Sequence, residues 1–145
     1  MDVHDTLNEI LVSLFNDILD LEQKALISGK FKNISINDMH IIEAIGDKEP
    51  KKMSQIARTL KITVGTLTTA MNSLVNKGYV IREKGEEDRR VVFISLSDLG
   101  KEAFNIHSDF HEEMVQSIMK GLDENELYVL TSALKKLSIY FKKFS

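Results

Sequence analysis

The 145 residues carry 43% hydrophobic and 28% charged side chains, the balance expected of a globular chain with a core of its own. The absence of cysteine excludes disulfides, thiolate metal sites and cysteine nucleophiles, and fits a cytoplasmic protein. A net charge of −3 would argue against a polyanion partner, but it hides a partition. Nine Lys/Arg stand against four Asp/Glu between Lys51 and Leu96, whereas the remainder carries ten against eighteen.

No stretch approaches the roughly 18 uninterrupted apolar residues of a membrane span. The opening MDVHDTLNEI lacks a basic region followed by an apolar run, so neither a membrane anchor nor a secretion signal is expected. From Leu7 to about Lys24, apolar residues recur three and four apart, which predicts a long amphipathic helix. SGKFKN interrupts it. INDMHIIEAI (Ile36–Ile45) predicts a second helix closed by Gly46, and DKEPKK reads as a loop.

MSQIARTL (Met53–Leu60) predicts a short helix with Ile56, Ala57 and Leu60 inward. KIT turns the chain, and Thr63 can cap a helix from Val64 to Lys77 that Gly78 stops. Two short helices joined by such a turn form a helix-turn-helix pattern. Tyr79–Glu83 and Val91–Leu96, rich in β-branched and aromatic residues, flank a charged loop and predict a hairpin with a projecting tip. Ser97 and Asp123 are candidate caps for two more helices, Asp98 to about Gly121 and the stretch after Asp123. The last carries Leu127, Leu130, Leu134, Leu137, Phe141 and Phe144 at seam spacing. The predicted fold is mainly α. A winged helix-turn-helix lobe spans 35–96, and long helices in 1–30 and 98–145 need a second subunit to cover their apolar stripes.

In the helix after Thr63, Val64, Leu67, Met71, Leu74 and Val75 are expected to pack inward. Gly65, Thr66, Thr69, Asn72, Ser73 and Asn76 form a small, polar, uncharged outer face, suited to a major groove and unlike a merely solvated helix. Arg89 and Arg90 at the hairpin tip would meet the negative potential of the neighbouring minor groove. Asp88 is expected to hold one guanidinium by a bidentate pair. A glycine-rich phosphate loop, a nucleophile elbow and a paired-carboxylate cleft are all missing from the sequence, so an enzyme is not expected.

The stretch ITVGTLTTAMNSLVNKGYVIREKGEEDRRVVFISLSDLGKE resembles the MarR family of winged helix-turn-helix transcriptional regulators, with Asp-Arg-Arg in the wing followed by Leu-Ser and Gly100. The resemblance implies a homodimer on a pseudo-palindromic double-stranded DNA operator, with Asp88 and Arg90 on the family's wing aspartate–arginine pair. Within the family, VGTLTT, NKGYVIRE and EEDRRVVF look like the branch that represses fatty-acid-synthesis genes with a long-chain acyl carrier protein as co-repressor. That likeness implies an acyl-chain effector in an apolar cavity, with Phe15, Ile18, Met39, Ile42 and Phe110 as lining.

The alternative is a zinc-responsive regulator. His107 and His111 stand one helical turn apart, a spacing able to chelate a metal. In the zinc-responsive branch a Glu of helix 1, a His of helix 2 and two His of helix 5 hold the ion. Glu22, His40, His107 and His111 match those types, although this chain lacks that branch's His-rich run and cysteine.

Overall fold

The computed structural model describes residues 2–27, 31 and 33–144; part of the SGKFKN break lies outside them. The elements are α1 (Val3–Ile27), α2 (Ile36–Ile45), β1 (Lys51–Lys52), α3 (Met53–Leu60), α4 (Val64–Asn76), β2 (Val80–Lys84), β3 (Val92–Leu96), α5 (Asp98–Gly121) and α6 (Glu124–Lys142). They form two compact units, Met1–Ser108 and Asp109–Ser145, whose boundary falls inside α5.

The first unit is built on local signals that agree with one another. Ser35 starts α2 by a capping box: its hydroxyl accepts from Asp38 N and the Asp38 carboxylate accepts from Ser35 N. Gly46 closes the helix, its N–H donating to Ile42 O. Thr63 caps α4 by accepting from Thr66 N at 3.1 Å. The turn between α3 and α4 is tight because Lys61 adopts the left-handed conformation (φ 57°), which lets Ile62 N reach back to Ala57 O. After α4, Gly78 at φ 89° takes a backbone conformation that side-chain-bearing residues rarely adopt, and turns the chain into the hairpin.

The three strands pair antiparallel in the order β1-β3-β2, with Val80 opposite Leu96 and Lys84 opposite Val92. β1 corrects the expectation of a plain loop over DKEPKK: Lys51 pairs with Ile94 and Lys52 with Phe93. A two-residue strand made of lysines carries no alternation of apolar and polar residues, so periodicity could not reveal it.

One core joins these pieces. Met39, Ile42, Ile45, Ile56, Leu67, Met71, Leu74, Tyr79 and Ile94 are sealed from solvent, with Leu26 and Phe31 closing one side. Each such side chain contributes on the order of 2 kcal/mol by leaving water. Tyr79, expected as a strand residue, lies just ahead of β2; its hydroxyl donates to Asn33 Oδ1 at 2.8 Å, which satisfies the one polar atom its burial would strand. Burial first, and the Asp38 charge second, push its phenol above the ordinary tyrosine range.

The hairpin is lashed to the start of α5. Ser97 N donates to Tyr79 O, the Ser97 hydroxyl donates to Gly78 O, and Gly100 N donates to the Ser97 hydroxyl. In the second unit, Asp123 opens α6 with a capping box to Glu126. None of the α6 residues is buried within this chain, and Tyr128, Leu134, Phe141 and Phe144 stand in solvent. α1 is similar over its first half, with Leu7, Ile10, Leu14 and Phe15 exposed.

Candidate functional site

Two neighbouring features of the first unit face outward: the polar side of α4 and the loop between β2 and β3. On α4, Leu67, Met71 and Leu74 anchor the helix, and Gly65, Thr66, Thr69, Asn72 and Asn76 are exposed, with Ser73 half-buried. The hydroxyls are partly committed. Thr63 donates to Thr66 Oγ1 at 2.9 Å, which leaves the Thr66 proton free to turn outward. A Cβ on Gly65 would meet only Thr63 Oγ1, at 3.9 Å, so nothing inside this chain requires a glycine there.

Val64 corrects the expected inner face. It is 47% exposed, next to an exposed Ile62. Its spacing to Leu67 and Met71 fits the core stripe, but it stands at the first position of α4, beyond the edge of the body that the stripe packs against. Periodicity gives a face and not where the core ends. The side chain instead adds an apolar contact point to the leading turn of the exposed surface.

In the hairpin loop, Gly85 N donates to Val91 O and Val91 N to Asp88 O, which folds the loop into a compact tip. Gly85 is forced by space: a Cβ there would lie 2.7 Å from Asp88 O. Asp88 grips Arg90 through three contacts. Its Oδ1 accepts from the Arg90 backbone N–H at 3.0 Å and from Nε at 3.2 Å, and its Oδ2 accepts from Nη2 at 3.2 Å. Arg89 is exposed beside it, as are Glu86 and Glu87. Because the Arg90 side chain is 91% exposed, this pair adds little to folding stability. It fixes the direction in which a cation is presented.

The Arg90 side chain first, and its backbone N–H second, hold the Asp88 carboxyl below the usual carboxylate range. A lowered pKa means the pairing is fully present above the ordinary aspartate value near 3.9 and is lost only as pH falls through the depressed one. The wing pair therefore stays intact from pH 8 to pH 5. Chemical-shift titration of the Arg90 Nε resonance checks this, and a transition inside that window would contradict it.

The remaining sequence candidates are scattered by burial. Phe15 is exposed, Ile18 half-buried, and Met39 and Ile42 are sealed core residues; Phe110, half-buried, belongs to the second unit. Glu22 and His107 are buried together, Nε2 of the imidazole against Oε1 of the carboxylate, with Glu43 Oε2 3.7 Å from Nδ1. Two groups wanted as metal ligands are thus engaged with each other, while His40 is exposed on α2 and His111 lies one turn further along α5, in the second unit. With Glu22 and His107 committed to each other and His40 exposed, this arrangement confirms no metal site and lends the zinc alternative no support.

Three residues carry structure at the site without having been singled out from the sequence. Lys77 Nζ reaches Asp38 Oδ2 at 3.2 Å and ties the end of α4 to α2. Lys51 Nζ donates to Ala44 O. Arg82 Nη2 donates to Asn72 Oδ1 at 2.6 Å and ties β2 to the exposed face of α4. A basic residue in a strand is an ordinary solvated side chain by pattern alone; only the tertiary placement of β2 beside α4 gives these contacts.

A tight α3-turn-α4 pair, an uncharged polar helix face and an arginine-tipped hairpin define a winged helix-turn-helix DNA-binding protein. The solved structure of Streptococcus pneumoniae FabT in complex with DNA is 37% identical, covers 98% of this chain and 99% of that one, and superposes with a TM-score of 0.90. A profile of the MarR family matches residues 34–92. The chain belongs to the MarR family of transcriptional regulators. The HTH-type transcriptional regulator YpoP of Bacillus subtilis is 24% identical over 94% of this chain and 91% of its own length. The match to YhjH of the same organism, 22% identical over 66% of this chain, spans 54% of that relative. Family and fold are thus those of transcription regulators rather than enzymes, and among the described residues no helix is long and apolar enough to cross a membrane.

Proposed function

We propose that the protein is a homodimeric repressor that places α4 of each subunit in the major groove of a pseudo-palindromic operator, with the Asp88-held Arg90 beside the minor groove. The observation that carries this reading is the exposed face of Gly65, Thr66, Thr69 and Asn72. It carries no charged side chain, Thr66 and Asn72 give only part of their hydrogen-bonding capacity to Thr63 and Arg82, and the hairpin loop of the same unit holds a cation in a fixed direction. The exposed apolar residues of α1 and α6 supply the reason for a dimer, since isolated helices with such faces are not left bare in water.

Gly65 offers a test. Replacing it by alanine adds helix propensity of up to about 1 kcal/mol in a position with open space. Gly65→Ala is therefore expected to melt no lower than wild type while binding duplex DNA more weakly, because the helix backbone can no longer approach the groove as closely. Paired melting and fluorescence anisotropy check this; unchanged affinity would remove the leading turn of α4 from the interface.

We further infer that the effector is a long acyl chain delivered by acyl carrier protein, acting as co-repressor on fatty-acid-synthesis genes. The stretches VGTLTT, NKGYVIRE and EEDRRVVF and the 37% identity to FabT support this reading. Of the proposed lining, Phe15 and Ile18 offer apolar surface at once, whereas Met39 and Ile42 must be displaced from a packed core, so binding would shift α1 and α2. Acyl carrier protein loaded with a long chain is expected to tighten operator binding by about tenfold, a typical allosteric coupling. Equal affinity with loaded and unloaded carrier would overturn the co-repressor assignment and leave the DNA-binding assignment standing.

A further inference from the structure

Arg82 and Asn72 are both exposed, yet their contact is among the shortest side-chain hydrogen bonds on this face, 2.6 Å from Nη2 to Oδ1. A guanidinium has donors and no acceptor, so the amide atom it meets must be the oxygen. The charge-assisted bond draws that oxygen toward β2. An asparagine reads adenine by aiming Oδ1 and Nδ2 together at the N6 amino group and N7 of the base. With Oδ1 held against a strand, the group left to face outward is the Nδ2 amine, a donor. The guanidinium beside it adds further N–H donors and a positive charge, which repel the amino group of adenine and favour the paired acceptors N7 and O6 of guanine.

We infer that Arg82 is a specificity-determining residue: by holding Asn72 Oδ1 it converts α4's central amide from an adenine reader into part of a donor-only pair that selects guanine. This rests on the reading of α4 as a recognition helix. Arg82 acts in part through Asn72, as a positioning residue, and in part through its own remaining donors. A purely electrostatic role would lower affinity for every duplex alike and leave base preference untouched.

The test is selection from a randomised duplex pool with the full chain, comparing wild type, Arg82→Ala and Asn72→Ala, read as base ratios at each position. Those ratios do not depend on the fraction of protein that is folded. Wild type is expected to prefer guanine over adenine by roughly tenfold at one position of each half-site. Arg82→Ala is expected to shift that ratio toward adenine by a similar factor, with the other positions unchanged. Asn72→Ala is expected to lose the preference at the same position without gaining adenine. An Arg82→Ala profile identical to wild type would overturn the inference, as would a change at a position that Asn72→Ala leaves alone. A wild type with no preference at any position would instead take down the recognition-helix reading itself, an outcome distinct from either.

Discussion

Replacing Gly100 by alanine is expected to lower the thermal midpoint by roughly 10 °C, corresponding to about 3 kcal/mol of overpacking strain. A Cβ on Gly100 would be driven into the carbonyl of Tyr79, with Leu96 Cβ crowding it from the other side at 3.3 Å. That carbonyl cannot simply move. It accepts from Ser97 N at 3.0 Å, and Tyr79 is itself sealed in the core with its hydroxyl tied to Asn33. The same few atoms close the hairpin onto the first turn of α5, so yielding here means loosening the wing. Gly100→Ala is thus expected to weaken duplex binding even below its melting midpoint. Calorimetry that places the variant within about 2 °C of wild type would show that the close approach is slack and the lashing unimportant.

Arg90→Ala is expected to have the opposite signature, a large loss of DNA affinity with little change in stability. The Asp88–Arg90 pair is solvated, so its removal leaves the core untouched. Each subunit loses one oriented cation, and the slope of log affinity against log salt should flatten by about one for each contact removed, two for the dimer. The loss in affinity is expected to be roughly tenfold or more at low salt and smaller at high salt. Asp88→Ala keeps the cation but frees its direction, so it is expected to fall between wild type and Arg90→Ala. An unaltered salt slope in Arg90→Ala would take the wing out of the mechanism.

Sequence periodicity located most of this architecture because the strongest signals were local. The caps Ser97, Thr63 and Asp123, the stop at Gly78, and the stripe of Leu67, Met71 and Leu74 each act within a turn or two of helix, where spacing and chemistry decide the outcome. What escaped was tertiary. β1 exists only because β3 passes beside Lys51 and Lys52. Val64 carries the spacing of a core residue but sits past the rim of the body. The Arg82–Asn72 contact joins side chains ten positions apart through the placement of β2 against α4.

The histidines show the same limit from the other direction. Four residues of suitable type in matching elements read as a metal set. In the fold, Glu22 and His107 pair with each other in the interior, while His40 faces solvent. Residue type and helical spacing propose donors; burial and mutual pairing decide what those donors are bound to.

The most direct test of the central claim is to sequence the duplexes that wild-type protein enriches from a random pool and to weigh the resulting complex by native mass spectrometry. Two inverted half-sites about one helical turn apart, roughly 34 Å, bound by two copies of the 16.5 kDa chain, are the expected result. Enrichment of a single half-site by one copy, or no enrichment at low ionic strength, would contradict it.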